Sequence, residues 1–283
     1  MASSQIETFW QDLVADIRAN RVILPALPDI ALKTRRLLED RNVTISQVAR
    51  VISADAVLTT RLLRVVNSPL YRAHDPIDDI RGAITRLGNA NVRSVVTSLA
   101  MEQLYQHKLA SPLKRKLLAR NWEHSVHVAA LSYILADNYT MLNADEAMLA
   151  GLVHDIGKLP ILEYAEMLPD IASSEAALER LLEVLHTRVG ALVLDSWKFA
   201  PELIAAAAEH EDLARQSGAA ADYADVVTVA NLLSYIGSDH RYTRLDWSAI
   251  PAFERLALTP EESIGVMKGA REQIHEIKRL LAG

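Results

Sequence analysis

Gly151-Leu-Val-His154-Asp155-Ile-Gly157-Lys158-Leu-Pro160 is the stretch from which the rest of this chain is best read. It sets an imidazole, a carboxylate and an ammonium side by side, a group able to hold a divalent cation and steady a bound phosphate. The stretch closes an apolar run from Ala144 to Val153, and Gly157 and Pro160 are expected to break the helix there. The cluster is therefore expected to face a cavity or a surface.

Composition narrows what can surround it. Half of the 283 residues are hydrophobic and only 5% aromatic, with Ala, Leu and Val dominant, which favours packed helices over a β-sandwich and excludes disorder. With no cysteine, disulfide and thiolate chemistry are excluded. A reducing, cytoplasmic setting is the expectation, because the first residues lack a leader pattern and no apolar run approaches a membrane span. A net charge of −6 argues against a broad nucleic-acid footprint.

Upstream, residues 6–20 read as an amphipathic helix, and the prolines of Leu24-Pro-Ala-Leu-Pro28 interrupt it. Pro28 and Asp29 open a helix with Ile30, Leu32, Leu37 and Leu38 as its stripe, and Thr44 or Ser46 caps the next. Residues 45–63 have the outline of a helix-turn-helix with Arg61 and Arg64 on the second helix; plain packing is the better reading in an acidic chain. Asn91 is expected to open a helix from Val92 to Tyr105. Lys108-Leu-Ala-Ser-Pro112 marks the boundary between an N-terminal helical subdomain (1–110) and a second one (111–283).

In the second half, histidines recur at helix after helix. His124 shares a face with Val128, Leu131 and Leu135, so it points inward, whereas nothing specific supports a role for His127. His154-Asp155 ends the following helix, His186 lies within a long one, and His210 stands between Glu209 and Glu211 after an alanine-rich helix. Asn231 interrupts an otherwise apolar helix. Imidazoles together with His-Asp are the composition of mono- and dinuclear hydrolytic sites. The residues from Pro251 onward read as one or two helices that close the bundle through Ile274, Ile277, Leu280 and Leu281.

Over roughly residues 20–240 the chain resembles the HDOD group, an output domain of bacterial signalling proteins related to the HD phosphohydrolases. The resemblance rests on Leu24-Pro-Ala-Leu-Pro28, Ile52-Ser-Ala-Asp55, Asn67-Ser68, Ala83-Ile-Thr-Arg-Leu-Gly88, Trp122-Glu-His124, Gly151–Lys158 and His186-Thr-Arg-Val-Gly190. It implies an all-α fold with an N-terminal helical bundle packed on an HD-like bundle. It also implies metal ligands at His124, His154 and Asp155, with His186 and His210 matching the further histidines of the dinuclear relatives and Lys158 their phosphate-facing lysine.

Two departures stand out. Asn231 falls where the family has its last metal aspartate, and Glu209 where the dinuclear enzymes have another histidine; their Gly-Tyr-Pro signature is replaced by Asp212–Gln216. The resemblance then implies one divalent ion (Mg, Mn, Fe or Ni), with a single carboxylate too little for two even beside Glu209 or Glu211, and little or no hydrolysis. The expected function is a non-catalytic signalling module acting through protein partners supplied in trans. The alternative is a metal-dependent phosphohydrolase acting on a nucleotide or cyclic dinucleotide.

Overall fold

The computed structural model describes residues 3–19, 21–71, 75–106 and 110–282. Asn20, Lys108, Leu109 and Gly283, which fall in the expected first helix, boundary and tail, lie outside these residues. The helices are α1 (Ser3–Arg18), α2 (Asp29–Glu39), α3 (Ile45–Ile52), α4 (Ala56–Val66), α5 (Ile80–Met101), α6 (Pro112–Tyr139), α7 (Ala144–Val153), α8 (Lys158–Ala165), α9 (Pro169–Ala172), α10 (Glu175–Ser196), α11 (Pro201–Glu209), α12 (Tyr223–Ser234), α13 (Pro251–Arg255), α14 (Pro260–Gly269) and α15 (Arg271–Ala282). No strand occurs among the described residues, and the fold is all-α. Among the described residues no helix is long and apolar enough to cross a membrane.

Short polar side chains start these helices by accepting from otherwise unpaired first-turn amides. Thr44 caps α3 in a reciprocal box with Gln47, Asp55 caps α4, Ser111 caps α6, Asn143 caps α7 and Asp222 caps α12. Three sequence expectations need correction. Asp79 caps a helix that begins at Ile80, well before Asn91, and Gly88 (φ 74°) kinks it in a left-handed conformation that a glycine adopts without strain. Pro160 does not break a helix, because it sits in the first turn of α8, where a missing amide hydrogen costs nothing. The buried contacts of α2 are Ala31 and Thr34, flanked by the half-buried stripe expected there.

Helices α2 to α4 pack on α5, while α6, α7, α8, α10, α11 and α12 form the second bundle, joined to the first chiefly where α5 meets α7. The tail forms three helices, and α15 closes the bundle by packing on α6 and α4 with Ile274, Ile277, Leu280 and Leu281 buried. Arg61 locks this closure, donating to the carbonyls of Leu99 (3.0 Å) and Leu281 (2.8 Å) and pairing with Glu102 (3.0 Å). Trp197 donates to the Pro25 carbonyl (2.8 Å) and Arg35 to that of Lys198 (3.0 Å), so the Leu24–Pro28 segment and α2 are pinned to the end of α10.

Candidate metal centre

The residues singled out above come together at the centre of the second bundle. His124 projects from the middle of α6, His154 and Asp155 from the turn after α7, His186 from α10 and His210 from the end of α11. His154, Asp155, His186 and His210 are all buried, and His124 is partly open, with 16% of its side chain exposed. Gly157 makes this convergence possible. A Cβ there would overlap the carbonyl oxygen of His186 and the amide nitrogen of Gly190, so only glycine lets the α7–α8 turn lie directly on α10.

Asp155 is the hub. Its Oδ2 lies 3.4 Å from His154 Nε2 and 3.7 Å from His124 Nε2, and it takes the Lys158 ammonium. Its Oδ1 lies 3.3 Å from His186 Nε2 and 4.0 Å from His210 Nε2. The carboxylate thus faces two ligand groups, His124 with His154 and His186 with His210, where the sequence reading expected a single ion at the first.

The imidazoles are oriented for a cation. Nδ1 of His154 donates to the Gly151 carbonyl (2.7 Å), Nδ1 of His186 to that of Leu182 (2.7 Å), and Nδ1 of His210 to those of Ala206 and Ala207 (3.1 Å each). A carbonyl only accepts, so in each neutral ring the proton is on Nδ1 and Nε2 carries a bare lone pair. His186 and His210 then oppose two lone pairs at 3.2 Å, an arrangement that repels unless a cation or proton lies between them. The chemistry of this donor set therefore fits a divalent ion of the first transition row.

Electrostatics keep the ligands in their binding forms. Burial lowers the His154 pKa to about 4 and that of His186 to about 3, against the attraction of Asp155, and it pushes His124 well below the usual imidazole range. Burial alone would raise the Asp155 carboxyl, but His154, Lys158, His186 and His124 together hold it well below the usual carboxylate range. His127 is not part of the centre; burial, aided by Lys278 of α15, lowers it to about 4.

Helix α12 forms one wall. Thr228 donates to the His210 carbonyl (3.2 Å), and the Tyr235 ring stacks on His124 with centroids 5.3 Å apart. Asn231 lies between them on the same face, three residues after Thr228 and four before Tyr235. It is 2% exposed, and its Oδ1 is buried without a hydrogen-bond partner among the described residues. Beyond Tyr235 the His240 ring stacks at 3.7 Å, and Tyr242 donates to Glu211. Sequence reasoning missed Tyr235 and Tyr242. The four-residue offset of Tyr235 from Asn231 could have revealed the first, but nothing local marks the second.

The HDOD domain family model matches residues 24–213. The chain belongs to the HDOD family. Among solved structures, a protein of Shewanella amazonensis SB2B, named as a candidate metal-dependent phosphohydrolase, is similar at 28% identity with a TM-score of 0.81, over 98% of this chain and 99% of its own. An HDOD domain protein of unknown function from Geobacter sulfurreducens is 25% identical with a TM-score of 0.65, over 98% of both chains. An uncharacterized protein of Treponema pallidum (strain Nichols) is 24% identical over 261 residues, which are 88% of this chain. This chain spans about half the length of that curated relative, 50%.

Proposed function

We propose that this HDOD chain is a signalling module that holds a divalent cation in the Asp155 cluster, turns over phosphoesters poorly if at all, and acts on protein partners supplied in trans. The observation that carries this reading is the pairing of a buried histidine–carboxylate cluster with a neutral amide at Asn231. A bound divalent ion would supply Lewis acidity toward a phosphoryl oxygen and a hydroxide from bound water. Asp155 and the four Nε2 atoms would hold it, and the Lys158 ammonium, 20% exposed at the rim, would attract an anionic group. The Asn231 carboxamide carries no negative charge and is a far weaker proton acceptor than a carboxylate. It therefore adds little to cation affinity and cannot take a proton from an attacking water.

A second reading, a phosphohydrolase acting on a nucleotide or cyclic dinucleotide, is favoured by Lys158 and by the partial exposure of His124. One assay separates the two. With Mn2+ supplied, hydrolysis of bis(p-nitrophenyl) phosphate and of cyclic dinucleotides is expected at or barely above the protein-free rate. Turnover by the unaltered chain that disappears in His154→Ala and Asp155→Asn would establish the second reading instead.

A further inference from the structure

A cation in this centre faces a shortage of negative charge. Among the described residues Asp155 is the carboxylate shared by both ligand groups, and the Lys158 ammonium lies against it. Imidazole ligands bring no negative charge, and the Asn231 carboxamide brings none either. A dication moved out of water into such surroundings needs a further anionic oxygen.

Two acids flank His210, and the structure treats them differently. Glu209 turns away, held by Arg215 at 2.5 Å with 45% of its side chain exposed. Glu211 turns inward. Its Oε2 accepts from the Tyr242 hydroxyl and lies 3.7 Å from Arg241, which leaves Oε1 facing His210 Nε2 at 3.9 Å. Metal–nitrogen and metal–oxygen bonds of about 2.0–2.2 Å place two ligands of one ion roughly 3–4 Å apart, and this pair falls in that range. Tyr242, 5% exposed and fixed through its carbonyl by the Trp247 indole (2.7 Å), holds the acid from behind as partners of metal-bound carboxylates do. The buried, unpartnered Oδ1 of Asn231 is the counterpart on the α12 wall, an oxygen without the charge.

We propose that Glu211 is the second carboxylate of the metal centre, ligating on the His186–His210 side in place of the acid that Asn231 lacks, with Tyr242 as its positioning residue. The proposal rests on the reading that the cluster holds a divalent cation, and it explains how the centre holds one with a neutral amide at Asn231. The ion is a first-row divalent cation with mixed nitrogen and oxygen ligands.

The test uses Mn2+ alone on the metal-stripped full chain, read by isothermal titration and by electron paramagnetic resonance of the bound ion. Glu211→Gln is expected to weaken binding roughly ten- to a hundred-fold, and Tyr242→Phe by less. Glu209→Gln should leave binding unchanged, and Asn231→Asp placed in the Glu211→Gln background should restore it. That rescue separates a ligand from a packing residue, because a new carboxylate does not repair a packing defect. It therefore decides the matter even if Glu211→Gln lowers the melting temperature. Wild-type Mn2+ affinity and stoichiometry in Glu211→Gln, alongside loss of binding in Asp155→Asn, would overturn the role of Glu211 while leaving the cation reading intact. A wild-type chain that binds no Mn2+ would overturn both.

Discussion

Asn231 offers its neutral oxygen to a wall that His210 touches through Thr228 and His124 through Tyr235. Asn231→Asp is therefore expected to raise Mn2+ affinity by about tenfold or more. In the metal-free protein it should cost about 1–3 kcal/mol, because the new carboxylate would be buried without a donor. Titration calorimetry and thermal unfolding with and without Mn2+ check the two effects separately. The pH dependence follows from the buried imidazoles. His154, His127 and His186 titrate near 4, 4 and 3 in the folded chain, below the ordinary value of about 6.5, so the unfolded chain binds more protons in between. Their contribution to stability is present above pH 6.5 and is lost as pH falls toward 4. Asp145, raised to about 6 mainly by burial, has the opposite sign and contributes below about pH 4, fading as pH rises through 6. His124, also lowered by burial, acts in the same direction, so with four imidazoles against one carboxyl the denaturation midpoint of metal-free protein should fall between pH 7 and pH 4.5; a flat profile would contradict this balance. At this scale the histidines and the His-Asp doublet were legible, because each is an unusual residue on an apolar helical face. Glu211 could not be told from Glu209, since only the fold decides which of two adjacent acids meets Arg215.

Among the helices, the contact that most constrains the centre is the turn at Gly157 lying on α10. Gly157→Ala would push His186 and Gly190 away from Asp155, with a cost of about 1–3 kcal/mol and a loss of Mn2+ affinity. Gly88→Ala is the contrasting change. It strains a positive-φ, extended-ψ position open essentially to glycine alone, by about 1–3 kcal/mol, yet nothing lies within 4 Å of the new methyl group, and metal affinity should not move. Equal effects of the two substitutions on affinity would argue against the positioning role of Gly157. Helix positions were legible from capping residues such as Thr44, Asp55, Ser111 and Asn143, whose effect is local. The kink at Gly88 and the helical place of Pro160 were not, because a glycine or proline acquires its meaning from the phase of the helix around it. The stack of Tyr235 and His240 joins the end of α12 to the loop that directly follows it and has no periodic signal at all.

For the molecule as a whole, Arg61 ties the first bundle to the last helix by satisfying carbonyls at the end of α15 and pairing with Glu102, all in a half-buried setting. Arg61→Ala should cost about 2–4 kcal/mol in chemical denaturation, as expected when buried acceptors lose a charged donor. It should leave Mn2+ affinity unchanged, because none of the Arg61 hydrogen bonds or ion pairs reaches the Asp155 cluster. The all-α architecture and the closing role of the tail were legible from apolar periodicity, which reports burial without needing the partner. That the carboxylate of Asp155 looks two ways was not, since it depends on four helices meeting at one point. The central claim is that this centre holds a divalent cation around Asp155. Elemental analysis of the purified chain beside Asp155→Asn tests it most directly: about one transition metal ion or more per wild-type chain, lost in the variant, is the predicted result, and a metal-free wild type or an unchanged content in the variant would contradict it.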